Sequence, residues 1–351
     1  MPKPHILYAV LNWGLGHATR SVPVIKRCLL LGYDVTLASD GFPRKFLRKE
    51  FPRLTVAELP TYDVSYGHGV LRHHAWKLFV AVQTATRREH EAVTRLHEEY
   101  RFDAVISDNR YGCFLPGIPS ALITHQLRIV GSNFLGNQIG TRAIGRWTKP
   151  FDYLWVPDHS DRLLSGRMSA LNDERIRWIG PLSDLLEVDT PRPHRVACIL
   201  SGPEPHRTEL EQLLLPQLIA TGLEVILVRG VDGPNTVRMK KNVKIVDHLN
   251  RAGIAGLLSL AGVVICRPGY SSVMDLHKIA RQAILIPTPG QPEQEYLAAH
   301  LQGFPYFDIQ EQDKLDIRGG LKRLREVKQR PPNVPGSPLA ITSALRELTG
   351  S

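Results

Sequence analysis

Cysteine is scarce: Cys28, Cys113, Cys198 and Cys266 are the only four in 351 residues, and no two form a C-x-x-C pair. Cys198 and Cys266 sit inside apolar runs, so core thiols are expected rather than metal or redox groups. No run of about 18 apolar residues occurs, so nothing is expected to span a bilayer. Met1 to His5 lead straight into the apolar run Ile6–Leu11. That run is too short for a signal-peptide core and no small-residue cleavage site follows, so a cytoplasmic protein is expected. Short repeats and low-complexity tracts are also missing.

What remains is ordinary globular composition, with 43% hydrophobic and 22% charged residues. The length suggests two domains, each long enough to bury a core. The net charge of +10 is uneven: residues 1–180 hold 24 Lys and Arg against 16 Asp and Glu, and residues 181–351 hold 20 against 18. A basic N-terminal half suits an anionic partner, such as a lipid surface or a phosphate-bearing acceptor, or simply solubility; no nucleic acid is expected.

Apolar runs alternate with helix-length amphipathic stretches. Strands are predicted at Ile6–Leu11, Asp34–Ala38, Leu54–Glu58, Ala104–Ser107, Ser120–Thr124 and Tyr153–Val156, with helices at Arg20–Leu31 and Trp76–Tyr100. The pattern restarts with strands at Val196–Leu200, Glu224–Val228, Val243–Val246, Val263–Cys266 and Ala283–Ile286. Helices fit His206–Thr221, Ile254–Leu260, Ser271–Lys278 and Glu293–Leu301. Such alternation predicts an α/β protein with parallel sheets. Pro and Gly cluster between Gly180 and Pro193. The expected division is therefore a Rossmann-like domain at 1–180, a linker at 181–193 and a second such domain at 194–351, the last helix being a candidate to pack back on the first. Two doubly wound domains imply a cleft, with ligands beyond the carboxyl ends of the strands.

Asn12-Trp13-Gly14-Leu15-Gly16-His17 follows the first strand and opens the first helix. Its glycines permit a tight turn and close approach of backbone N–H groups to a ligand. It falls short of a dinucleotide fingerprint: Thr19 stands at the third glycine position and the second strand ends without an acid. His17, at a helix start where the dipole favours its neutral form, is either a general base or part of the turn. Asp108, in Ile106-Ser107-Asp108-Asn109, can orient that histidine or cap a turn.

In the second half, Leu200-Ser201-Gly202-Pro203-Glu204 is a small-residue loop of the kind that cradles phosphate, and also of the kind every doubly wound domain needs. Cys266 to Asp275 reads as a strand end, a glycine turn at Gly269 and a helix start carrying Ser271 and Ser272. Either serine is expected to cap the helix and its N–H groups to hold phosphate, with Asp275 placed for a ribose diol. Pro287 to Glu295 follows the next strand and brings Gln294 and Glu295, suited to sugar hydroxyls.

Taken in order, these motifs resemble the GT-B superfamily of glycosyltransferases. Within it they are similar to the family-28-type bacterial N-acetylglucosaminyltransferases of peptidoglycan-precursor synthesis and, more distantly, the UDP-glucuronosyltransferases. The turn Gly14 to His17 resembles the first glycine loop, with Gly16 near the donor. Val246-Asp247-His248-Leu249 resembles the loop whose backbone reads the uracil. Arg267 through Asp275 resembles the arginine–glycine–hydroxyl–acid motif, Asp275 standing where Glu is frequent, and Gln294 and Glu295 resemble the pair gripping the donor sugar. The resemblance spans residues 6 to about 301 and implies two Rossmann-like domains, a UDP-sugar donor as substrate, and neither cofactor nor metal. It does not carry the acceptor over, because acceptor contacts belong to the N-terminal half, where Asn12, Trp13 and Leu15 replace small residues.

The sequence reading is thus an inverting glycosyltransferase with His17 and Asp108 as its catalytic pair. The donor site comprises Gly16, Ser201, Gly202, Val246, His248, Leu249, Arg267, Gly269, Ser271, Ser272, Asp275, Gln294 and Glu295. A UDP-sugar epimerase on the same architecture, or a nucleotide-sugar-binding protein without catalysis, is the alternative. His68, His73 and His74 cluster near Tyr62, Asp63 and Tyr66 without matching a zinc spacing. Val70–Val93 and Gly140–Trp147 carry basic and apolar residues suited either to packing on their own domain or to peripheral contact with an anionic membrane at its inner face.

Overall fold

The structure, a computed structural model, describes residues 3–62, 75–131, 134–185, 192–231, 234–329 and 337–351. The chain divides into two compact units: Met1–Asp184 with Gly336–Ser351, and Leu185–Pro335.

In the first unit seven strands form one parallel sheet among the described residues. They are β1 (His5–Val10), β2 (Asp34–Ser39), β3 (Val56–Glu58), β4 (Ala104–Asp108), β5 (Ser120–Ile123), β6 (Tyr153–Val156) and β7 (Ile176–Trp178), in the order β3-β2-β1-β4-β5-β6-β7. The helices are α1 (Leu15–Leu30), α2 (Gly41–Glu50), α3 (Ala75–Tyr100) and α4 (Phe134–Thr148). Ile6 to Val10 and Ala104 to Ile106 are fully buried, the mark of central strands covered on both faces. Each such aliphatic side chain contributes about 1.5–3 kcal/mol.

The chain reverses its direction of growth between β1 and β4. Their parallel register sets Val10 opposite Asp108. A doubly wound sheet offers its crevice beyond the carboxyl ends of the strands at this switch point. The residues that follow β1 and end β4 therefore meet there, although 91 positions separate His17 from Asp108.

The second unit repeats the plan with β8 (Arg192–Ile199), β9 (Glu224–Val228), β10 (Val237–Lys240), β11 (Val243–Val246), β12 (Ala261–Cys266), β13 (Gln282–Leu285) and β14 (Phe307–Ile309). Their order is β10-β11-β9-β8-β12-β13-β14, and β10 alone among them runs antiparallel. Its helices are α5 (His206–Thr221), α6 (Arg251–Leu260), α7 (Tyr270–Lys278), α8 (Pro292–Leu301) and α9 (Ile317–Glu326). The switch point lies between β8 and β12, where Ile199 pairs with Cys266. The loops beginning at Leu200 and Arg267 both leave from it.

The last helix, α10 (Pro338–Thr349), returns to the first unit and packs on α1. Tyr33 Oη lies 2.7 Å from Ser351 Oγ, and Arg177 Nε donates to Glu347 at 2.7 Å.

The fold class expected from sequence is the one observed. The unforeseen strands β7, β10 and β14 are short and all stand at sheet edges, and the side chains of β7 and β10 are half-buried or exposed and carry little alternation. All four cysteines are buried and free, and burial raises the Cys28 and Cys266 thiols to about 12. The cluster from Asp63 to His74 and residues 186–191 of the expected 181–193 linker lie outside the described residues. From Val82 onward the apolar stripe of α3 is spent inside its own unit: Val82, Ala85, Ala92 and Val93 are buried, the last two against Leu7, Ala9, Phe102 and Val105. Among the described residues no helix is long and apolar enough to cross a membrane, and no group of three or more His, Cys, Asp or Glu gathers as metal ligands would.

Candidate active site

Beyond the carboxyl ends of β1 and β4, α1 begins without a side-chain cap. Gly14 holds its N-cap at φ 74°, a backbone region that glycine reaches without penalty. The third residue of the helix is His17. Its Nδ1 lies 2.8 Å from Asp108 Oδ1 at the end of β4. Asp108 is fully buried and is ringed by donors: Arg20 Nε at 3.2 and 2.9 Å to its two oxygens, Arg20 Nη2 to Oδ1, and Ser21 Oγ at 3.1 Å. These bonds and charges hold its carboxyl well below the usual range against the opposing effect of burial. An ionised carboxylate only accepts, so the proton sits on His17 Nδ1 and leaves Nε2 as the basic nitrogen.

The imidazole itself is held below its ordinary pKa, first by burial and then by the Arg20 charge, while Asp108 pulls the other way. With its side chain 12% exposed, His17 is neutral and solvent-reachable, as a general base must be.

Arg20 was not foreseen. It stands one turn after His17 on the same face of α1, and a lone arginine among buried helix positions was the available signal. Its Nη1 donates to Nδ1 of His125 at 3.3 Å, which brings the segment after β5 into the cluster.

A second buried network supports the loop after β1. Arg110 and Glu89 are fully buried. Arg110 donates through Nε to Glu89 and through Nη1 to Asp40 Oδ1 at 2.9 Å and to the Val10 carbonyl at 3.1 Å. Asn12 Nδ2 donates to the other Asp40 oxygen at 3.0 Å, tying the first loop to this network.

In the second unit the switch point gathers Ser201, Gly202, Arg267, Gly269, Ser271 and Ser272. Ser201 and Gly202 are exposed, Gly202 at φ 102°. The expected serine cap is corrected: Gly269 is the N-cap of α7 and no side chain caps the helix, so Ser271 and Ser272 fall within its first turn. The first-turn N–H groups there have no intrahelical carbonyl, which leaves them to an anion.

Arg267 is 1% exposed. Its guanidinium donates to the carbonyls of Ile286 (3.1 Å), Pro287 (2.9 Å) and His206 (3.1 Å) and to Gln312 Oε1 (2.6 Å). It is a brace between loops, its charge is bonded among the described residues only to neutral oxygens, and burial lowers its pKa to about 10. Beside it Thr288 Oγ1 is buried without a hydrogen-bond partner among the described residues, 3.7 Å from where a Cβ on Gly202 would stand. The sequence reading passed over this threonine inside Pro287-Thr288-Pro289-Gly290.

Gln294 Oε1 accepts from the Thr288 N–H at 2.9 Å and Glu295 Oε1 from the Gly290 N–H at 2.7 Å, so both side chains shape the loop before α8. Asp275 Oδ2 lies 3.3 Å from Arg251 Nη1. In the loop after β11, the Val246 carbonyl accepts from Arg229 N and the His248 N–H donates to Asn235 Oδ1 at 3.2 Å. Base reading through His248 N must displace that amide. Leu249 adjoins them at the start of the turn into α6, and Gly16 lies in the first turn of α1, in the other unit.

Residues 4–117 match the family model described as Glycosyl transferase family 1. Over 318 residues, 84% of this chain and 82% of the relative, the sequence is 22% identical to an uncharacterized glycosyltransferase of Methanosarcina acetivorans. Among solved structures it is similar to the kitacinnamycin glycotransferase (TM-score 0.65, 16% identity, 99% of this chain and 96% of the other). It is likewise similar to MurG of Acinetobacter baumannii (0.57, 14%, 99% and 95%) and to UGT89C1 of Arabidopsis thaliana complexed with UDP-L-rhamnose (0.63, 14%, 100% and 94%). The two doubly wound units are those of the GT-B fold. The chain is a glycosyltransferase of that type.

Proposed function

We propose that this glycosyltransferase is inverting and metal-independent and moves a sugar from a nucleotide sugar, a UDP-sugar first of all, to an acceptor hydroxyl. The observation that carries the reading is the 2.8 Å bond between His17 Nδ1 and an ionised Asp108 at the switch point of the first unit. His17 Nε2 takes the acceptor proton as the acceptor oxygen attacks the anomeric carbon. The bond from that carbon to the diphosphate oxygen breaks, and the nucleoside diphosphate departs with the electron pair.

The second unit is assigned the donor. The open first turn of α7 and the Gly202 loop present N–H groups to the diphosphate, and the Arg267 charge lies buried behind them. These groups do the work a divalent cation does elsewhere. Asp275 is assigned the ribose hydroxyls, and Gln294 and Glu295 the sugar. UDP is the first choice of nucleotide because UGT89C1 is complexed with UDP-L-rhamnose and because of the motif likeness from Arg267 to Glu295.

Thermal shift with UDP-sugars on the full-length protein finds the donor; a ligand at 100 times its Kd stabilises by about 2.7 kcal/mol. Acceptor-dependent UDP release with an inverted anomeric product is the expected result. A retained anomeric configuration refutes inversion. Loss of activity with EDTA that Mg²⁺ or Mn²⁺ restores refutes metal independence. Conversion of the sugar without an acceptor establishes the epimerase instead, and donor binding without turnover the binding protein.

We also propose peripheral contact of the first unit with an anionic membrane surface. One stripe of α4 supports it: Leu135 and Ile139 are 65% and 58% exposed, Arg142 and Arg146 continue the same face as exposed cations, and exposed Lys149 follows the helix end. An apolar end that enters the interface and a cationic end that meets headgroups is the pattern of a membrane-lying helix.

A further inference from the structure

We propose that Arg20 is a positioning residue of the catalytic apparatus, which shares the Asp108 carboxylate with His17 and so sets how strongly His17 holds a proton. The inference rests on the assignment of His17 as base and adds a residue to it.

A histidine–carboxylate pair standing alone makes a strong base, because the carboxylate stabilises the imidazolium that forms. Here the carboxylate is not left to His17. Arg20, 2% exposed, places Nε 3.2 and 2.9 Å from the two Asp108 oxygens and Nη2 on Oδ1, the oxygen that also takes His17 Nδ1. A planar guanidinium with this fork cannot leave Asp108 without stranding a buried charge. Asp108 is therefore neutralised before His17 titrates, and its remaining use to the imidazole is orientation. A second cation, imidazolium, would sit beside Arg20 in a buried site.

The groups facing the imidazole come from three elements: Arg20 from α1, Asp108 from β4 and His125 from the segment after β5, while buried Tyr8 of β1 interacts electrostatically with Asp108. Arg20 Nη1 donates to Nδ1 of His125, so that ring accepts through Nδ1. Arg20 thus arranges both histidines of the cluster in defined tautomers. The consequence for the reaction is a base that stays deprotonated below the ordinary imidazole range and releases its proton readily afterwards.

The sign follows directly. Arg20→Met removes a cation and leaves Asp108 to His17 and the neutral Ser21 hydroxyl, so the imidazolium gains and the His17 titration moves up by about one pH unit or more, the size expected of an opposite charge within about 4–6 Å. Arg20→Lys keeps charge without the fork and moves it less. The measurement is NMR titration of the full-length protein labelled in its histidines, with the His17 signal assigned by its absence from His17→Gln. Donor affinity for UDP, measured by calorimetry, controls for folding of the second unit.

A wild-type midpoint below the ordinary value of about 6.5, with the proton on Nδ1, and an upward shift graded from Lys to Met support the proposal. An unmoved midpoint in both variants, or a wild-type midpoint above the ordinary value, overturns it. Should Arg20→Met not fold, the wild-type midpoint and Arg20→Lys decide. Near-normal turnover in His17→Gln removes the base assignment without touching these titrations, so the two ideas fail separately.

Discussion

Arg110 and Glu89 form an ion pair with no exposed atom of either residue, and Asp40 completes it from the other side at 2.9 Å. The pair lies under the loop that delivers His17, because Arg110 also bonds the Val10 carbonyl and Asp40 holds Asn12. Breaking a buried pair leaves the partner charged and unsolvated, at a cost of about 3–5 kcal/mol. Arg110→Met is expected to lose stability of that order in urea unfolding. A loss under about 1 kcal/mol would mean that Glu89 is not held as an anion.

His17→Ala is expected to lower turnover by at least about a hundredfold, since general-base help is worth about 10²–10⁴. Donor affinity, which is assigned to the other unit, is expected to stay within a few-fold. Asp108→Asn costs turnover less, because it orients the base, and costs stability more, because Arg20 loses the carboxylate that both its Nε and Nη2 engage. Steady-state kinetics with urea melts on both variants checks the contrast. Equal and small stability losses in the two would contradict it.

Much of this site was legible because it depends on strand ends. A run such as Ala104-Val105-Ile106 is buried on both faces, so it declares itself by unbroken apolar residues, and the residue after it must lie at the crevice. The switch point then unites Asp108 with His17. The contribution of Arg20 was hidden because its bonding depends on the spatial meeting of α1, β4 and the segment after β5. Arg267 was legible as a motif residue but not in role: only the structure reveals its four neutral oxygen partners. The serine cap failed for a local reason, since Gly269 enters α7 in extended conformation and leaves the hydroxyls inside the first turn.

Asp275 and Arg251 stand 3.3 Å apart at their nearest atoms, each about 15% exposed. A ribose diol bound to Asp275 replaces or shares that partner. Hydrogen bonds to a charged group contribute about 1.5–3 kcal/mol, so Asp275→Ala is expected to weaken UDP-sugar binding roughly ten- to hundredfold in calorimetry. Unchanged affinity would remove Asp275 from the donor site.

The exposed stripe of α4 makes the membrane proposal quantitative. Each cation near an anionic surface is worth about 1 kcal/mol, so removing the charges of Arg142 and Arg146 together is expected to weaken binding to phosphatidylserine vesicles roughly thirtyfold. Leu135→Asp with Ile139→Asp removes the apolar end and is expected to abolish binding at any salt. The charged end alone responds to salt, because screening shortens from about 10 Å at 0.1 M to about 3 Å at 1 M. The two substitutions therefore separate by salt dependence: wild type weakens as salt rises, while the variant lacking both arginines binds weakly with a flatter response. Sedimentation with vesicles of phosphatidylserine and phosphatidylcholine measures both. If the wild-type protein does not sediment with them at low salt, the α4 face serves some other contact and the basic charge of the first 180 residues needs another partner.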